Sequence, residues 1–258
     1  MSSRKIRLFA ATLTLMSILA NGKAGAADSF IIVSDVDDTV KITNVLDRAA
    51  AARNSVASKL VFAGMPELYQ NLLGQNSRAE RLEFISGSPR FILTHKMHEC
   101  LTKTHFPAYN LALRGKVTSV YNYKKNVLQK LYGASASQFL LFGDDTESDP
   151  EVYANFSSKK PVLAIYIHRI TGRTLPAGSI AFVTAFDAAL WEYKAGRLTE
   201  EQAALVGQAV LTSQGPAFLP DFQKCPKEYM KISDLPKPLE AIKDKIENKM
   251  ITLCARRR

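Results

Sequence analysis

This sequence predicts an α/β fold built on a parallel central sheet, and three observations predict it. Short runs that are apolar on both faces recur along the chain, as strands covered by helices on either side must be. Helical stretches separate them, which is the alternation of βαβ units. Three of the runs end in polar clusters, at residues 35–39, 86–90 and 144–149. The carboxyl ends of parallel strands are where such sheets bind ligands.

Taken in order, Phe30-Ile31-Ile32-Val33-Ser34 is the first strand. Residues 45–74 read as mainly helical, with a turn at Gly64-Met65-Pro66 and a stop at Gly74. Residues 82–86 form the second strand, 90–104 a helix and 111–113 a third strand. Residues 124–132 are helical up to Gly133, and 139–142, 162–167 and 180–183 are further strands. Residues 186–196 and 199–212 read as helices. The stretch 213–238, with Pro216, Pro220, Pro226, Pro236 and Pro238, reads as irregular, and 239–251 as a last helix.

The chain has 258 residues, 22% charged and 47% hydrophobic, which excludes a disordered chain, a collagen-like repeat and a multi-span membrane protein. Residues 1–26 read as an export signal. Arg4, Lys5 and Arg7 precede an apolar run over residues 8–20, and Ala24-Gly25-Ala26 supplies a small-x-small cleavage pattern. That run falls short of the ~20 residues a membrane span needs. Export to the periplasm or out of the cell is therefore expected. Losing Arg4, Lys5, Arg7 and Lys23 lowers the net charge from +10 to +6. That excess suits phosphate esters or peripheral contact with an anionic membrane. The motifs of nucleic-acid binding are missing, so no nucleic-acid partner is expected. Arg256-Arg257-Arg258 reads as a solvated end. Oligomeric state is not legible. Cys225 and Cys254 lie in the last segment, where a disulfide that leaves Cys100 unpaired stands beside three free thiols as an open alternative.

The chemistry is carried by four elements in a fixed order. Asp35 and Asp37 lie two residues apart at a strand end, so one carboxylate can attack while the other moves protons. Crowded carboxylates repel and call for a cation. Gly143-Asp144-Asp145-Thr146-Glu147-Ser148-Asp149 is a second acidic loop, and hard oxygen donors from two such loops suit Mg²⁺. Each loop can also be read as a plain helix cap. Ser86-Gly87-Ser88 offers a hydroxyl and unhindered N–H groups to phosphoryl oxygens, and Lys124 or Lys125 a positive charge. His95, His98, Cys100 and His105 do not match a zinc spacing and read as helix surface. Trp191 and Tyr193 are expected to pack the C-terminal helices on the core.

The order of these elements resembles the haloacid dehalogenase (HAD) superfamily of phosphatases: Asp35-x-Asp37-x-Thr39, then Ser86, then Lys124, then Gly143-Asp144 with Asp149. Within it, the chain is most similar to the catalytic domain of actin-patch-protein type phosphatidate phosphatases. The matching residues are Ser34-Asp35-Val36-Asp37-Asp38-Thr39-Val40-Lys41, Gly64-Met65-Pro66-Glu67-Leu68-Tyr69, Ser88-Pro89, Phe106-Pro107, Asp149-Pro150-Glu151-Val152-Tyr153 and Ile165-Tyr166-Ile167. The likeness spans about residues 30–171.

The resemblance implies a HAD-like Rossmannoid three-layer sandwich over residues 27–185, with a small cap in the 46 residues between Thr39 and Ser86. Residues 186–258 would form a helical and irregular extension packed on it. It also implies a phosphoric monoester hydrolase in which Asp35 is the nucleophile and Asp37 the general acid and base. Mg²⁺ would be held by Asp35, the Asp37 carbonyl and Asp144, with Asp149 close by. Thr39, Ser86, Gly87 and Lys124 would bind the phosphoryl group, and Lys124 is preferred to Lys125 by its position. Ser88 and Arg90 would meet the rest of the substrate. The family commonly has Ser-Asn-Ser-Pro-Trp where this chain has Ser86-Gly87-Ser88-Pro89-Arg90, often His where Tyr123 stands, and often Arg-Asp where His168-Arg169 stand. The expected substrate is phosphatidic acid, with small soluble phosphate esters as the alternative and a non-catalytic binding protein as the third.

Overall fold

The computed structural model describes residues 29–57, 59–74, 78–115, 118–135, 137–229 and 232–257. The expected export signal lies outside them. Six strands form one sheet: β1 (Phe30–Ser34), β2 (Ala79–Pro89), β3 (Tyr109–Arg114), β4 (Gln138–Asp144), β5 (Val162–His168) and β6 (Ser179–Phe182). All adjacent pairs are parallel, in the order β3-β2-β1-β4-β5-β6. The helices are α1 (Arg48–Ala57), α2 (Met65–Leu72), α3 (Arg90–Lys103), α4 (Val120–Ala134), α5 (Asp149–Ser157), α6 (Ala185–Lys194), α7 (Glu200–Thr212) and α8 (Lys237–Ala255). The result is the Rossmann-like three-layer sandwich of the HAD type.

Strand β1 shows why apolar runs on both faces encode this sheet. Phe30 and Ile32 join one buried cluster with Leu82, Phe84, Leu140 and Phe142, while Ile31 and Val33 join another with Ile85, Phe139 and Leu141. The two-residue period of the strand thus divides its side chains between two helical layers. Helices α4 and α5 cover the second face; α2, α3 and the C-terminal helices cover the first.

The extension shares this first core. Phe186, Leu190, Val206 and Ile246 are buried in the same cluster as Phe84 and Tyr166. Gly64, at φ 83°, opens α2 where a β-carbon would stand 2.8 Å from Val210 and 3.0 Å from Ala185, so α2 and the C-terminal helices meet with no room for a side chain. Buried Glu192 accepts two hydrogen bonds from Arg197, at 2.5 and 2.7 Å, and one from the Tyr166 hydroxyl, which ties α6 to β5. A Cys225–Cys254 disulfide anchors the irregular segment to α8, and Cys100 is free and buried. Closing a loop of this length restricts the unfolded chain by ~3–4 kcal/mol in the chain-entropy picture.

Three local expectations need correction. Helix α4 runs through Gly133 to Ala134, because a glycine lowers helix propensity without forbidding it. The arginine tail is not simply solvated. Arg257 donates to the carbonyls of Pro220 at 3.1 Å, Gln223 at 3.3 Å and Leu219 at 2.5 Å, closing α8 onto the irregular segment. Trp191 is 37% exposed and lines a surface cavity, whereas Tyr193 does pack against the core. No helix among the described residues is long and apolar enough to cross a membrane.

Candidate active site

The chain builds β1, β2 and β3 outward on one side, then returns to add β4, β5 and β6 on the other. The crevice lies where that order reverses, at the carboxyl ends of β1 and β4. Register brings the polar clusters to one level there. Ser34 pairs with Phe142 and Phe84, and Asp144 with His168. The Asp35 N–H donates to the Phe142 carbonyl at 2.9 Å, so Asp35 prolongs β1 into the crevice.

A tight loop then separates the functions of three acids. The Val40 and Lys41 N–H groups donate back to the Val36 carbonyl, which puts Asp38 in the left-handed region at φ 59°. Aspartate tolerates that region better than most residues. Its carboxylate turns away from the crevice and accepts N–H groups of Thr43, Asn44 and Val45 at 2.9, 2.7 and 2.7 Å. Asp38 therefore closes the loop and Asp37 faces the site. Lys41, fully buried, donates to the carbonyls of Asn54 and Ser55 at 2.7 and 2.9 Å and pins the last turn of α1 to the loop.

The centre is a buried ion cluster. Lys124 Nζ donates to Asp35 Oδ1 at 2.6 Å and also to Asp149 Oδ1. Thr39 Oγ1 lies 3.1 Å from Asp35 Oδ2 and 3.4 Å from Asp144 Oδ2. Lys124, not the half-buried Lys125, carries the charge. The Asp37 carboxylate accepts hydroxyls from Thr43 at 2.8 Å, Ser86 at 3.0 Å and Ser88 at 2.8 Å. Ser86 and Ser88 thus orient the Asp37 carboxylate. Arg114 holds the Ser86–Ser88 turn from behind, its Nε–H donating to the Gly87 carbonyl at 2.8 Å. Asp149 stands against Gly143, where a β-carbon would be 2.6 Å from the Asp149 β-carbon and 2.8 Å from the Tyr153 ring. Only glycine at 143 lets the acidic loop after β4 fold in this way. Arg90 opens α3 as an exposed residue outside the cluster. His95, His98 and His105 are exposed and Cys100 buried, and they gather no metal-ligand group.

Asp35, Asp149 and Asp144 surround the Lys124 ammonium, and Asp37 adds a further carboxylate beside Asp35. Burial raises the pKa of Asp35 well above the ordinary range; Lys124 opposes this, and Asp149, Asp144 and Asp37 add to it. Burial likewise raises Asp144, with Asp149 contributing. Burial disfavours the charge on Lys124, but Asp149 and Asp35 outweigh it and hold the ammonium protonated. Carboxylate oxygens of Asp35, Asp144 and Asp149 lie within 4.8 Å of one another. An all-oxygen donor set with excess negative charge fits a hard divalent cation.

Several residues take supporting roles that the sequence did not show. Asp145 accepts the N–H groups of Ile170, Thr171 and Gly172 at 2.8, 2.6 and 2.8 Å and fixes the loop after β5. His168 Nδ1 lies 2.9 Å from the Asp38 carbonyl, and its Nε2 is 3.1 Å from Gln223 Nε2. Nε2 also lies 3.0 Å from the Val183 carbonyl, so both ring nitrogens face backbone carbonyls. Burial, opposed by backbone carbonyls, lowers the His168 pKa to about 4. Its unfolded value is about 6.5. The unfolded chain thus binds the extra proton between these values, and His168 contributes stability fully present above pH 6.5 and lost as pH falls toward 4. The full loss is about 3 kcal/mol. Asp38, pushed up to about 6 by burial against three N–H donors, titrates in the opposite sense. The comparison is therefore with His168→Gln. Urea unfolding from pH 4 to 7 is expected to show a steeper rise with pH in the parent chain than in the variant; parallel curves would refute a neutral buried His168.

Residues 30–169 match the family model described as the phosphatidate phosphatase APP1 catalytic domain. No curated protein and no solved structure matches significantly.

Proposed function

The chain belongs to the family of the phosphatidate phosphatase APP1 catalytic domain and is a phosphoric monoester hydrolase, and from that premise we propose that it converts phosphatidic acid to diacylglycerol by a Mg²⁺-dependent, covalent mechanism outside the cytoplasm. The observation that carries the reading is the buried Asp35–Lys124–Asp149 cluster, set with Asp144 at the reversal of strand order. Asp35 attacks phosphorus, the ester P–O bond breaks, and Asp37 protonates the departing glycerol oxygen. Water then attacks the aspartyl-phosphate, Asp37 takes its proton, and phosphate leaves with Asp35 restored. Ser86 and Ser88 exchange Asp37 for phosphoryl oxygens, and Lys124 balances the charge that the transition state spreads over them. Asp35, Asp144 and Asp149, with the Asp37 carbonyl, would hold the cation. When bound, it would neutralise the carboxylates and the incoming phosphate.

The rim supports a membrane-borne substrate. Leu46 and Leu60 are 54% and 48% exposed. Leu46 follows Val45, whose N–H closes the Asp38 loop, and Arg48 and Arg53 are exposed on α1 beside it. Apolar and cationic groups together suit an anionic bilayer. The Cys225–Cys254 disulfide supports an oxidising compartment. Fractionation with thiol labelling should find the protein outside the cytoplasm with only Cys100 reactive after unfolding; a reduced cytoplasmic pool would refute export.

The substrate test is phosphate release by residues 27–258 from phosphatidic acid in mixed micelles against an aryl phosphate. Preference for the micellar lipid is expected, with loss in chelator and recovery with Mg²⁺. Preference for the aryl phosphate would favour small soluble esters, and release from neither would favour a binding protein.

A further inference from the structure

A cavity of about 800 Å³ lies along the free edge of β6, and none of the catalytic residues lines it. Its walls are β6, the segment from Lys224 to Tyr229, and Trp191 of α6. We infer that this cavity is a second binding site, taking one anionic phospholipid with a phosphomonoester headgroup. The inference rests on the phosphatidate reading for its choice of ligand.

The size falls in the range of small-molecule sites. Ile180, Ala181, Val183, Trp191 and Pro226 supply apolar wall, and Arg169, Lys224 and Lys227 supply positive charge. Arg169 sits 3.5 Å from Asp145, while Lys224 and Lys227 are exposed and have no ion-pair partner among the described residues. Two acids also line the cavity. Asp187 is committed to the N–H groups of Val183 and Thr184, at 2.7 and 3.0 Å, and Glu228 is not free. The cavity therefore offers its unpaired charge as cations.

Two hydroxyls reinforce the assignment. Ser179 and Tyr229 line the cavity, and the oxygens of both side chains are buried without a hydrogen-bond partner among the described residues. A buried polar atom left unpaired is costly, and its presence in a native fold needs a reason. Headgroup oxygens would supply the missing partners, while acyl chains lie against Trp191, Ile180 and Pro226. The Cys225–Cys254 bond holds the Lys224–Tyr229 wall to α8, so the site is preformed.

Trp191 is the sole tryptophan of the chain and reports on this cavity. The experiment uses residues 27–258 carrying Asp35→Asn, so that the ligand is not consumed, and dihexanoyl phosphatidate below its critical micelle concentration. A saturable blue shift of Trp191 emission is expected, with none from dihexanoylglycerol or inorganic phosphate. Lys224→Glu/Lys227→Glu is expected to weaken binding about tenfold or more. Tyr229→Phe, which removes one oxygen, should weaken it about fivefold. In the otherwise unaltered chain, Lys224→Glu/Lys227→Glu should leave hydrolysis of an aryl phosphate intact, which verifies folding. No spectral response to the phosphatidate, an equal response to inorganic phosphate, or unchanged affinity in both variants would overturn the inference. A normal Trp191 response in a chain that does not hydrolyse phosphatidic acid would overturn the functional reading alone.

Discussion

Asp35→Asn is expected to abolish phosphate release, by at least ~10⁴-fold in kcat, while the protein stays folded. The two side chains have nearly the same shape, and the Asp35 N–H bond to Phe142 is backbone and survives. An amide is a poor nucleophile, so no aspartyl-phosphate can form. Stability is expected to hold or rise. The change removes one of four crowded carboxylates, and Lys124 keeps Asp149 as its partner. Paired measurements decide the matter: turnover on micellar phosphatidic acid, and urea unfolding of parent and variant. Activity within tenfold of the parent would sink the covalent mechanism. Lost activity with a collapsed unfolding midpoint would show that Asp35 is structural.

The parts of this site legible in the sequence are those written locally. The strand centres that lead to Asp35, Ser86 and Asp144 place apolar residues on both faces, because helices bury both sides of a parallel sheet. Each cluster follows its strand directly, so the strand pattern locates the acids as well. Other assignments were illegible because they depend on distant partners. Asp37 and Asp38 are neighbours of the same chemistry, and only a positive φ at Asp38 sends one carboxylate into the site and the other onto the Thr43–Val45 amides. Thr43, an unremarked threonine in the sequence, places its hydroxyl on Asp37. Arg114 reaches Gly87 across 27 residues, and Arg257 reaches Leu219 across 38. Trp191 shows the converse failure. It is expected to pack the C-terminal helices on the core, but the cavity beside β6 leaves it partly exposed, and no local pattern encodes a cavity.

Lys124→Met is the second large effect, and it acts on fold and chemistry together. Methionine fills much of the same volume but leaves Asp35 and Asp149 buried without their cation. Breaking a buried pair on one side costs about 3–5 kcal/mol, chiefly because the abandoned charge stays desolvated. Urea unfolding should therefore shift by that amount, and turnover should fall to background, since Lys124 is the side chain that brings positive charge to Asp35 and Asp149 among the described residues. Adding Asp149→Asn separates the two losses. The double variant removes one of the stranded carboxylates and should recover a large part of the lost stability, with no recovery of turnover. Recovery of neither would mean that Lys124 acts through packing, and an undisturbed single variant would mean that the ion cluster is not what holds the crevice together. Stability restored while catalysis stays absent is the outcome expected of a lysine whose charge serves the phosphoryl group and whose pairing with Asp35 and Asp149 keeps that charge in place until substrate arrives.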